Sequence, residues 1–70
     1  MVKVTGISNM DYTNHKAVVS LIADTKSDVT SDMSVIGLPS GFEIDFGSSV
    51  LTTAGELAFM KSDGTWNWTS

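Results

Sequence analysis

From residue 37 to residue 64 the chain is broken by turn formers at short intervals: Gly37-Leu38-Pro39-Ser40-Gly41, Gly47-Ser48-Ser49, Ala54-Gly55 and Ser62-Asp63-Gly64. The stretches between them are too short for a helix of about ten residues and suit strands of about four to eight. In the first stretch Phe42, Ile44 and Phe46 alternate with Glu43 and Asp45, the pattern of a half-buried strand. Residues 50–53 give a second strand. Residues 56–61 give a third, with Leu57 and Phe59 on one face and Ala58 and Met60 on the other. Asp63-Gly64 is a hairpin signal, because Gly supplies the positive φ that primed turns need. Residues 65–69 then form a last strand. Residues 35–70 therefore read as a four-stranded β-meander.

The first half is less regular. Val2 to Thr5 alternate apolar and polar before Gly6, which predicts a short strand. Residues 8–15 are rich in turn formers and read as a loop. Residues 16–23, KAVVSLIA, carry a partial helical stripe at Val18, Leu21 and Ile22, but their length and β-branched content favour a strand. Residues 24–34 are a polar connector with room for one helical turn capped by Thr25 or Ser27. The whole chain, 1–70, is then a single small all-β domain. The expected architecture is a β-meander sheet or partly open barrel of about five or six short strands, with residues 1–34 supplying the N-terminal strands and the connector.

A chain of 70 residues buries little, and burial and ordering terms nearly cancel at this size. It has no cysteine and one histidine, so disulfides and thiolate metal sites are excluded. Oligomerisation, or docking on a larger body, is the stabilising device left. The formal net charge is −4 and the four lysines, Lys3, Lys16, Lys26 and Lys61, are scattered. Binding a phosphate backbone needs a clustered basic surface, so no nucleic-acid partner is expected. No apolar run has the length of a membrane helix, so no membrane partner is expected either. The start, MVKVTG, lacks the apolar core and cleavage site of a secretory signal, which points to a cytosol-like compartment or carriage within a particle.

Nothing in the chain has the spacing of a catalytic, cofactor or metal motif. His15 has no nucleophile with an orienting acid beside it. Asp24, Asp28 and Asp32 recur every four residues, not at the alternate positions of a calcium loop, and read as a solvated connector. Glu43, Asp45 and Glu56 fit the solvent face of a sheet, and Met10, Met33 and Met60 read as gap fillers. Trp66 and Trp68 lie two apart on one strand and so share a face. They serve either as a lid on the core or a subunit contact, or as a stacking platform for sugar rings or bases. The residues expected at the core or interface are Phe42, Ile44, Phe46, Leu57, Phe59, Trp66 and Trp68. The terminal strand is the expected contact edge.

Read in order, six pieces between Leu21 and Trp68 form a pattern: Leu21 to Asp24, Ser27 to Val29, Pro39 to Gly41, Phe42 to Asp45, Gly55 to Phe59, and Asp63 to Trp66. This order resembles small proteins encoded in the structural gene clusters of phages and prophages of Gram-positive bacteria. The resemblance implies a non-enzymatic virion component, of head-fibre, capsid-decoration or related accessory type. It implies assembly in the host cytoplasm, and partners that are further copies of the chain and other virion proteins. The longer members' attachment region has no counterpart in these residues, so the place in the particle stays open. The shared residues look structural, so no functional residue is transferred. The rival expectations are a carbohydrate or cell-wall binding module using Trp66 and Trp68, and a small acidic regulatory or inhibitory protein.

Overall fold

The computed structural model describes residues 1–30 and 33–69. Seven strands occur among them: β1 (Val2–Asp11), β2 (Lys16–Ala23), β3 (Val35–Ile36), β4 (Glu43–Ile44), β5 (Ser49–Thr52), β6 (Leu57–Met60) and β7 (Trp66–Trp68). They form one sheet in the order β3-β1-β2-β5-β6-β7, with β4 also paired to β2. The fold is all-β, and the sheet is open, with β3 and β7 as its outermost strands.

Residues 16–23 are a strand, as their β-branched content predicts, and this strand organises the molecule. β1 runs antiparallel along one edge of it. β1 is longer than the sequence suggests. It extends through residues expected to be loop and ends at Asp11. Two register shifts, between Val4 and Gly6 and between Ile7 and Asn9, let it follow β2. Pairing with β2 at Asn9, Met10 and Asp11, with Ser8 skipped at the second shift, overrides the preference of these residues for turns. Asp11 then closes the hairpin, its carboxylate accepting the amides of Thr13 at 3.0 Å and Asn14 at 3.1 Å.

The opposite edge of β2 holds two strands in succession. β4 pairs in parallel with Lys16 and Ala17, and β5 in parallel with Ser20 to Ala23. They act as one strand interrupted at residues 45–48. The expected four-stranded meander is thus a three-stranded one, β5-β6-β7, because β4 goes to β2. The interruption is bridged by Ser48, which is fully buried. Its hydroxyl accepts the Val19 amide at 3.0 Å and donates to the Asp45 carbonyl at 2.8 Å.

The β6–β7 hairpin forms where Asp-Gly predicts it. Gly64 has φ +85°, and Asp63 Oδ1 accepts the Thr65 amide at 3.0 Å. The connector contains a 3-10 turn at Lys26–Asp28 preceded by Thr25, one of the two expected caps. The Asp28 carboxylate returns to the Thr25 amide at 3.3 Å. It also pairs with the Met1 α-amino group at 2.8 Å, with Asp24 at 3.2 Å from the same group. Asp32 lies outside the described residues.

One face of the sheet, here the inner face, carries the core: Val2, Ala17, Val19, Leu21, Ala23, Val50 and Ala58. Val29, Met33, Val35, Leu38 and Phe42, from the segment that links β2 to β4, pack over it, as do Trp66 and Trp68. The side chains at the centre are small, and the described part of the segment over them carries the 3-10 turn and the two-residue β3.

Candidate interaction surface and the tryptophan cleft

The registers fix which side chains share a face. Trp68 is opposite Ala58 and Trp66 opposite Met60, so both indoles turn toward the inner face. Both are half-buried. The Lys26 ammonium lies 4.9 Å from the centre of the Trp68 ring. Phe42 and Ile44 are also half-buried on the core, and Phe42 meets the edges of Tyr12 and His15, each with ring centroids 5.5 Å away.

Three of the residues expected at the core or an interface lie off the core. Phe46 is 58% exposed, because the chain turns at residues 45–48 before it can continue the alternation of Phe42 and Ile44. Phe59 is 45% exposed and shares the opposite, outer face with the half-buried Leu57. Alternation correctly separates Leu57 and Phe59 from Ala58 and Met60. Pairing decides which pair goes in: Ala58 lies opposite the buried Val50. Sequence reasoning passed over Ala17, Ala23, Ala58, Ser48 and Thr52, all buried, because small and hydroxylated side chains carry a weak hydrophobic signal.

An open cleft of about 390 Å³ runs between the connector and the β6–β7 hairpin. Met33, Val35 and Leu38 face Met60 and Trp66 across it, with Phe42 and Ile44 also lining it. Lys16 and Glu43 stand at the cleft, joined at 2.7 Å. That hydrogen bond holds the Glu43 carboxyl below its ordinary range and raises the Lys16 ammonium. Asp11, Asp28 and Asp63 are also held below the ordinary carboxylate range. Their leading partners are the Asn14 side chain, the Met1 amino group and the Thr65 hydroxyl.

The outer face is the larger feature. Ile36, Lys3, Ile22, Leu51 and Leu57 follow one another across β3, β1, β2, β5 and β6 in one row. Ile36, Ile22 and Leu51 are exposed, at 51%, 38% and 46%. The next row on this face runs Gly6, Ser20, Ser49, Phe59 and Asn67. An antiparallel sheet with one solvated face alternates cleanly between apolar and polar residues, whereas a strand covered on both faces is apolar throughout. β2 is apolar throughout its inner face, Ala17, Val19, Leu21 and Ala23, and mixed on its outer face, where Val18 and Ile22 alternate with Lys16 and Ser20. Its inner side chains are buried, and Ile22 is open.

No family model, curated protein or solved structure matches this chain.

Proposed function

We propose that this chain works by association and not by catalysis, as a structural accessory protein of a phage particle of head-fibre, capsid-decoration or similar type. The observation that carries the associative part is the outer-face row in which Ile36, Ile22 and Leu51 stand exposed, interrupted only by Lys3. An exposed apolar surface of this kind marks an interaction site. The virion setting rests on the resemblance between Leu21 and Trp68, whose pieces fall in the strands and turns of this sheet. Its small size and absent cysteines favour a protein stabilised by its neighbours.

A carbohydrate-binding module has weaker support. A stacking platform needs open indole faces, and Trp66 and Trp68 are half-buried against the inner face. An acidic inhibitor draws only on the net charge.

The test is protein mass spectrometry of purified, DNA-filled particles from the phage or induced prophage that encodes the chain. The reading expects the chain in the particles at a fixed ratio to the major capsid or tail protein. Its confinement to the soluble lysate would overturn the virion assignment.

A further inference from the structure

We propose that the outer face is a two-fold interface between two copies of this chain, with Ile22 and Leu51 of each copy seated over Ser20 and Ser49 of the other. The proposal rests on the associative reading above and names the partner surface within it.

In β2 and β5 the two rows of the outer face differ sharply in bulk. One row presents Ile22 and Leu51, side by side in register. The other presents Ser20 and Ser49, also in register and two residues along. The face therefore has a ridge beside a furrow. A two-fold axis lying in the plane between the sheets, perpendicular to the strands and midway between these rows, places each ridge over the other copy's furrow. On β6 the same operation places Leu57 of one copy against Phe59 of the other. A two-fold interface must be complementary to itself, and at β2 and β5, where large side chains meet serines, this face is.

Size and charge agree. The molecule measures 35 × 22 × 20 Å. A ten-residue strand such as β1 spans about 33 Å, so the long axis follows the strands and the broad side is the sheet. A 35 × 22 Å outline sets the upper limit on what this side can bury, and that limit is of the order of the ~800 Å² that each partner contributes to a standard interface. Neither row contains an Asp or Glu, although the chain carries a net charge of −4. The acid nearest the ridge, Asp24, two residues beyond Ile22, is paired with the Met1 amino group at 3.2 Å.

Light scattering behind a sizing column, across a dilution series, tests this. The expected mass is twice the 7.5 kDa of one chain. Ser49→Arg fills the furrow and Leu51→Ser removes the ridge. Both side chains point away from the core, so each variant should keep its circular dichroism while its dimer dissociates at least tenfold more readily. Ser20→Arg repeats the test from β2. Added salt should tighten the dimer or leave it unchanged, because it screens the repulsion between two acidic chains. A monomer at all concentrations, a trimer or larger ring, or a dimer indifferent to all three substitutions would overturn the proposal. A monomer still found in purified particles would overturn it while leaving the virion reading intact. A dimer absent from particles would do the reverse.

Discussion

The Ser48 hydroxyl accepts the Val19 amide at 3.0 Å, where an unbroken parallel ladder would present the carbonyl of Asp45. That carbonyl instead receives the hydroxyl proton of Ser48 at 2.8 Å. One side chain thus splices β4 to β5 and lets both lie along β2. Ser48→Ala leaves the buried Val19 amide without this acceptor. The expected loss is about 1–3 kcal/mol, measured as a lower thermal midpoint.

Core truncation should separate the buried residues from the exposed aromatic residues. Leu21 is 3% exposed and Phe46 is 58% exposed. Leu21→Ala should cost about 2–5 kcal/mol, enough to unfold much of so small a domain. Phe46→Ser should change stability by no more than about 0.5 kcal/mol. Urea unfolding of the two variants distinguishes this account from one in which Phe46 belongs to the core.

The contrast between Leu21 and Phe46 also marks how far the sequence was legible. Turn residues such as Pro39, Gly55 and Gly64 divide the chain at or near the strand ends, so the all-β class and the β5-β6-β7 meander could be read directly. The phase of burial could not. Period-two alternation says that Phe59 and Ala58 face opposite ways, but not which one faces in. The pairing of Ala58 with Val50 makes that choice, and it depends on β2 and β5 lying side by side in parallel. The length of β1 was equally hidden, because its second half is polar and is held by the partner strand. The outer row was hidden for the same reason, since Ile36, Ile22 and Leu51 are far apart in sequence and meet only through register.

Stability should fall in acid. Asp11, Asp28, Glu43 and Asp63 all have folded-state values below their ordinary ones. Each contributes stability above the unfolded-state value, and loses it as the pH falls through the folded one. The ordinary values are 3.8 for the aspartates and 4.5 for Glu43, so the thermal midpoint should hold near pH 6 and drop below about pH 4.5. Glu43→Gln should remove part of that dependence. An unchanged midpoint down to pH 3 would contradict the pairings of these carboxylates.

Tryptophan emission should report indoles that are already half-covered. The free protein is expected to emit to the blue of an indole in water, and soluble cell-wall glycan should leave the spectrum in place. A glycan-dependent blue shift, abolished by Trp66→Ala or Trp68→Ala, would favour the sugar-binding reading over the associative one.

The most direct test of the outer face as a self-contact is an isotope-filtered NOE experiment on a mixture of labelled and unlabelled chains. The account predicts intermolecular NOEs from the methyls of Ile22 and Leu51 to the β-protons of Ser20 and Ser49. Intermolecular NOEs confined to Trp66 and Trp68 would move the contact to the β7 edge and contradict it.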